Sequence, residues 1–140
     1  MRRQVVLDTG PLVAFLNRRD RHHRWATEQL AEIEAPLLTC EAVLSEACFL
    51  LRSASGGSRA VFDLLDREVV TVAFALAKEA RAVSRLLARY ESVPMSLADA
   101  CLVRMAEQDA RRSILTLDNG FRIYRKHARH VVPTILPEPA

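Results

Sequence analysis

The chain has 140 residues, 50% of them hydrophobic and 26% charged, which is the length and composition of one globular domain. Wholesale disorder, collagen-like repeats and a two-domain enzyme with separate cofactor and substrate halves are thereby excluded. Twenty basic residues against 17 acidic ones leave a formal charge of +3, too weak to name a nucleic-acid partner unaided.

Val5 to Leu7 is a short apolar run that fits a strand buried on both faces, and it stops at Asp8. Thr9-Gly10-Pro11 supplies turn chemistry before a short helix closing near Asn17, and a polar loop rich in Arg leads to a helix over Trp25 to Ile33. Pro36 ends that helix, Leu37 to Thr39 reads as a second strand, and apolar residues recur at helical spacing from Cys40 to Leu51. The stretch from Ser53 to Ser58, with Gly56-Gly57, is a surface loop ahead of a helix beginning at Val61, and Val69 to Ala73 is a third strand. Leu76 to Tyr90 is the clearest helix, with Leu76, Ala80, Val83, Leu87 and Tyr90 on one side and Lys78, Arg81, Arg85 and Arg89 on the other. After Pro94, Ser96 opens a helix to Gln108. Ile114 to Leu117 is a strand ending at Asp118, Asn119-Gly120 a turn, Phe121 to Lys126 a short helix, and Val131 to Leu136 a last strand. Strands alternating with helices give an α/β fold, a three-layer α/β/α sandwich on a mostly parallel sheet, as a single domain over residues 1–136 with a frayed tail at 137–140.

Arg makes up all but two of the basic residues, Lys78 and Lys126. Its planar fork suits phosphate, although codon bias in a GC-rich genome yields the same excess. Cys40, Cys48 and Cys101 are widely spaced without a C-x-x-C pair, which speaks against a disulfide framework or zinc knuckle and for a reducing cytoplasm. The basic N-terminus meets a carboxylate after three apolar positions, so neither a signal peptide nor a membrane span is expected.

Two strands end alike, in Val-Val-Leu-Asp at Asp8 and Leu-Thr-Leu-Asp at Asp118. In open parallel sheets the functional crevice lies beyond the carboxyl ends of the strands, so these residues converge although 110 positions apart in the chain. Asp99, in a helix first turn, opens toward the same crevice, and Glu46 lies in an apolar helix where an unpaired carboxylate is costly to bury. Such acids together require a cation, and oxygen-only ligation selects Mg²⁺ or Mn²⁺. Each acid also has a local explanation: Asp8 as an N-cap, Asp99 completing a Ser-x-x-Asp capping pattern, Asp118 as turn chemistry before Asn-Gly, and Glu46 paired with Arg52. Only their conjunction points to a site.

The stretches Val-Val-Leu-Asp-Thr-Gly-Pro-Leu at 5–12, Leu-Thr-Cys-Glu-Ala-Val-Leu-Ser-Glu at 38–46, Ser-Leu-Ala-Asp-Ala at 96–100 and Ile-Leu-Thr-Leu-Asp-Asn-Gly-Phe at 114–121, in this order and spacing, resemble the PIN-domain ribonucleases, and among them the VapC-type toxins of toxin–antitoxin pairs. The resemblance implies a metal-dependent endoribonuclease whose catalytic residues are Asp8, Glu46, Asp99 and Asp118, assisted by Thr116. Asp8, Asp99 and Asp118 would be the ligands of Mg²⁺ or Mn²⁺, and Glu46 would ligate through a water or position the nucleophile. A small VapB-like antitoxin, a homodimer and an RNA substrate are the implied partners. One departure is Gly120, where many relatives carry another acid; Glu41 falls in a matched stretch but reads as a helix first-turn acid. RNA phosphates would meet Arg18, Arg19, Arg21 and Arg24 in the first loop and Arg122, Arg125, Lys126 and Arg129 after Asp118. The apolar surfaces of the helices at 12–33 and 40–65 are the expected docking region for the antitoxin. His127 and His130 read as surface residues and Trp25 as core. The alternative is a non-catalytic PIN-like module that binds RNA or protein. Asp8-Thr9-Gly10 also spells an aspartic-protease triplet, but those enzymes are all-β, and Gly10 stands where a nucleophilic-aspartate phosphatase places its second Asp.

Overall fold

A computed structural model describes residues 2–54 and 56–138. The end of the expected tail, 139–140, and residue 55 of the expected loop lie outside the described residues.

The elements follow as β1 (Val5–Leu7), α1 (Thr9–Leu16), α2 (His23–Ala31), β2 (Leu37–Thr39), α3 (Glu41–Leu50), α4 (Gly57–Asp66), β3 (Val70–Val72), α5 (Leu76–Arg89), α6 (Leu97–Gln108), β4 (Ser113–Leu115), a 3-10 turn (Asn119–Arg122), β5 (Arg125–Lys126), β6 (His130–Val131) and β7 (Thr134–Ile135). Five strands form one parallel sheet in the order β3-β2-β1-β4-β7. All three residues of β1 and of β2 are buried. Because successive side chains point to opposite faces, burial of every residue means that both faces are covered, giving the three-layer arrangement.

From β1 the chain proceeds outward through β2 to β3, and then returns to place β4 on the other side of β1, with Leu7 opposite Leu115. The order reverses between β1 and β4, so a crevice opens there beyond the strand ends. α6 runs through the core beside it, with Ala98, Ala100, Cys101, Leu102, Val103, Met105 and Ala106 all buried. The three cysteines are free thiols, and Trp25 packs against the core as expected.

Four segments depart from the sequence expectation, and β4 also ends at Leu115 instead of Leu117. The residues from Phe121 to Lys126 do not form a helix: the 3-10 turn ends at Arg122, and β5 pairs antiparallel with β6. The Arg125 guanidinium donates to the carbonyls of Arg122, Ile123 and Tyr124 at 2.7, 3.2 and 3.0 Å, closing off the acceptors a continuing helix would need. The last strand is split at Pro133, which has no N–H to give the sheet; Val131 pairs in the hairpin and only Thr134–Ile135 joins β4. In α5 the buried stripe centres on Val83 and Leu86, while Leu76 is 37% exposed. Glu79 takes the inward position expected of an apolar residue, because Arg104 of α6 meets it at 2.6 Å. α4 also starts four residues early, at Gly57, on a Gly56 whose φ of 87° few other residues adopt.

Candidate active site

Asp8 follows β1 directly, and its N–H donates to Leu115 O at 3.0 Å, which extends the β1–β4 ladder by one bond. Asp8 Oδ1 accepts from Thr9 N at 2.7 Å as the N-cap of α1. On the neighbouring strand end, Thr116 Oγ1 donates to Asp8 Oδ2 at 2.7 Å and accepts from Asp118 N at 2.9 Å. One fully buried hydroxyl thus ties the Asp8 carboxylate at the end of β1 to the backbone of Asp118 in the loop after β4. Asp118 Oδ1 accepts from Gly120 N at 2.7 Å, capping the 3-10 turn.

Asp99 completes a capping box: its N–H donates to Ser96 Oγ at 3.0 Å, and Asp99 Oδ2 accepts from Ser96 N at 3.3 Å. The local roles read from the sequence for these three aspartates are therefore all present, and they are what hold the carboxylates in place. Capping and convergence are one arrangement, not rivals.

Asp8, Glu46, Asp99 and Asp118 line a single cleft of about 560 Å³, together with Thr9 and Ser96 and between walls of Leu50 and Leu117. Glu46 is exposed on its rim rather than buried, which corrects the reason for singling it out; no ion pair with Arg52 forms, since that guanidinium donates to Phe49 O and lies over the Phe49 ring. The charge is uncompensated. No Lys or Arg lines the cleft, and among the described residues the ion pairs all lie elsewhere, as in Arg104–Glu79 and Arg111–Asp109. Burial pushes the Asp8 carboxyl up to about 6, against the pull of its Thr116 and Thr9 hydrogen bonds and with added repulsion from Asp99 and Asp118. Burial also raises Asp99, and desolvation with the charge of Asp99 raises Glu46.

Among the described residues no three His, Cys, Asp or Glu side chains are drawn together tightly enough to grip an ion as they stand. The donor set nevertheless fits a hard divalent cation: every candidate ligand is oxygen, the carboxylates repel one another, and the buried Thr9 hydroxyl beside them has no hydrogen-bond partner among the described residues. Asp8, Asp99 and Asp118 are the residues that could hold such an ion.

The basic candidates divide into two groups. Arg18 and Arg19 are exposed and line a separate hollow of about 800 Å³, which shares Leu50 with the acid cleft. Arg21 donates to His22 at 3.0 Å and Arg24 to Glu28 at 3.2 Å. Beyond Asp118, Arg122 and Arg129 are exposed and Lys126 is half-buried, as is Arg125, whose guanidinium is spent on backbone carbonyls. His127 and His130 are exposed, as expected.

Sequence reasoning missed Tyr124. Its hydroxyl donates to Asp99 Oδ2 at 3.0 Å, from a segment expected to be helical, and no spacing in the sequence marks it. Thr9 was legible only as turn chemistry, although its neighbour Asp8 places it in the cleft.

A parallel α/β domain whose acids gather where the strand order reverses is the class that this fold and cleft define. The chain belongs to the PIN domain family, whose model matches residues 5–127. The crystal structure of VapC20 from Mycobacterium tuberculosis, a toxin that cleaves the sarcin–ricin loop, is similar in fold, with a TM-score of 0.73 and 22% identity over 82% of this chain and 90% of that one. No curated protein matches the sequence at a significant level. No helix among the described residues is long and apolar enough to cross a membrane.

Proposed function

We propose that the protein is an endoribonuclease dependent on Mg²⁺ or Mn²⁺ and serves as the toxin of a cytoplasmic toxin–antitoxin pair. The observation that carries this reading is the gathering of Asp8, Asp99, Asp118 and Glu46 around one cleft without a basic partner, in a chain of the PIN domain family. The likeness to a VapC toxin supports the choice of RNA and of a small VapB-like antitoxin.

Asp8, Asp99 and Asp118 would hold the ion, which when bound supplies charge neutralisation and acidification of water at a phosphodiester. The chain's own residues do the rest. Thr116 fixes Asp8 Oδ2 and the start of the Asp118 turn at once, so that two carboxylates are set before substrate arrives. Glu46, exposed on the rim with its carboxyl raised by desolvation and by Asp99, would ligate the ion through a water or position the attacking water. Leu50 and Leu117 narrow the approach. Arg18 and Arg19, in the hollow that meets the cleft at Leu50, lead the phosphate backbone toward the acids. Arg122, Lys126 and Arg129 would be further phosphate contacts, whereas Arg21, Arg24 and Arg125 would first have to leave His22, Glu28 and the backbone carbonyls that they meet. With four of the 17 acids in the cleft, the remaining shell is four charges more basic than the formal sum.

The antitoxin would cover the apolar surfaces of α1 to α4, where Phe49 and Phe62 are 62% and 55% exposed, and a homodimer is the proposed assembly. Brief induction in cells followed by mapping of cut RNA ends tests the function. A small set of new ends that disappears with Asp99→Asn is the expected outcome. An RNA end profile identical to that of the uninduced cells, with folded protein present, would overturn it.

A further inference from the structure

Tyr124 is 2% exposed, and its ring is boxed by two other aromatics: Phe121 at 5.3 Å and 89°, and Tyr90 at 5.1 Å and 64°. Tyr90 is itself fixed, since its hydroxyl accepts from Arg125 N at 2.8 Å. The three rings therefore aim one hydroxyl from the β5 segment at Asp99 of α6, 25 residues away in the chain. Asp99 Oδ2 receives both of the donors that reach this carboxylate, Tyr124 Oη at 3.0 Å and Ser96 N at 3.3 Å. Oδ1 accepts no hydrogen bond among the described residues, and the carboxylate lines the acid cleft.

Gly120 lies beside this contact, and the room it makes is for the Asp118 turn. A Cβ at that position would stand 3.5 Å from the Tyr124 hydroxyl and 3.0 Å from Asp118 Oδ1. The Tyr124 hydroxyl thus bonds Asp99 while the backbone N–H of Tyr124 donates to Gly120 O at 3.3 Å, which ties it to the turn that Asp118 caps.

We propose that Tyr124 is a positioning residue of the acid site, whose hydroxyl holds Asp99 Oδ2 and so leaves Oδ1 set to ligate a divalent cation. The proposal rests on the metal-dependent reading above. Outer hydrogen bonds to ligating carboxylates fix their orientation, and removing one lowers metal affinity by about 10–100-fold. Tyr124→Phe deletes the hydroxyl and keeps the ring packing. Tyr90→Phe deletes the neighbouring hydroxyl, which serves the backbone of Arg125 and touches no acid.

The test is Mn²⁺ affinity of the purified full-length protein, read from the free-ion paramagnetic resonance signal, beside the thermal midpoint in EDTA and kcat and KM on RNA. For Tyr124→Phe the expected result is Mn²⁺ binding weakened about 10–100-fold, a fall in kcat with KM for RNA unchanged, and a midpoint in EDTA close to wild type. Tyr90→Phe should keep wild-type Mn²⁺ affinity. Tyr124→Phe binding Mn²⁺ within about twofold of wild type, well short of that range, overturns the proposal alone. Equal weakening by both variants overturns it too, because hairpin packing would then be the cause. A wild-type protein that neither binds Mn²⁺ nor cuts RNA overturns the underlying reading and this proposal with it.

Discussion

Replacing Asp8 with Asn should stabilise the metal-free protein while abolishing cleavage. Asp8 is 7% exposed, and its carboxyl is pushed from 3.8 up to about 6 by burial. A rise of that size disfavours the ionised form relative to the neutral one by about 3 kcal/mol in the folded state, at about 1.4 kcal/mol for each tenfold change in proton affinity. Asn is neutral and close in shape, but turning its amide to satisfy Thr9 N leaves a nitrogen that cannot accept the Thr116 hydroxyl as Oδ2 does, and the loss of that bond returns about 1 kcal/mol. The net gain is about 2 kcal/mol, or about 7 °C in thermal midpoint for a chain of this size.

The pH dependence fixes the cause. A carboxyl whose pKa is raised on folding holds its proton longer in the native state, so wild-type stability is full below about 4 and declines as pH rises through about 6. Thermal unfolding in EDTA from about pH 4 to about pH 7.5 should show the variant's advantage largest at the upper end and mostly gone at the lower. A midpoint for Asp8→Asn at or below wild type at about pH 7.5, or an advantage independent of pH, would refute the reasoning from an uncompensated buried charge.

Three further predictions concern the same cleft. Thr116→Val strands Asp118 N–H and Asp8 Oδ2 together, and should lower stability by about 1–3 kcal/mol in a denaturant titration; an unchanged unfolding midpoint would contradict the bridging role. Glu46→Gln, on the exposed rim, should change stability by less than about 0.5 kcal/mol yet slow cleavage by about 100-fold or more, and cleavage at the wild-type rate would remove Glu46 from the mechanism. Replacing Arg18 and Arg19 with Ala should weaken RNA binding and flatten the plot of log affinity against log salt by about 1.4, at about 0.7 per phosphate contact on single strands. An unaltered slope would move the RNA path away from that hollow.

The parts of the fold that depend on local pattern were legible. Val5–Leu7 and Leu37–Thr39 are apolar runs whose every residue is buried, and Ser96 with Asp99 announces its own helix start. Asp8 and Asp118 were legible as a pair because acids that follow neighbouring parallel strands open on one side, although β4 stops at Leu115 rather than Leu117 and Asp118 reaches the cleft from the loop beyond it. Features without a sign in the sequence depend on partners far along the chain, whereas the 121–126 segment and the split at Pro133 have local causes. Glu79 is drawn inward by Arg104, and the turn at His127 and Ala128, with φ of 50° and 65°, is held by Glu107 accepting from His127 N at 2.6 Å. Tyr124 belongs to the site through a contact spanning 25 residues, for which no periodicity in a single sequence gives a sign. Glu46 lacks the burial that its apolar neighbours suggest, and it stands in the cleft because α3 runs past the mouth of the crevice.

Cleavage of a defined RNA by the purified protein in Mn²⁺, with and without excess EDTA, tests the central claim most directly. The acid cleft predicts strand scission with Mn²⁺ that stops in EDTA, returns when Mn²⁺ is restored, and is absent at every Mn²⁺ concentration from Asp99→Asn. Scission that continues undiminished in excess EDTA, or that survives Asp99→Asn, would contradict it.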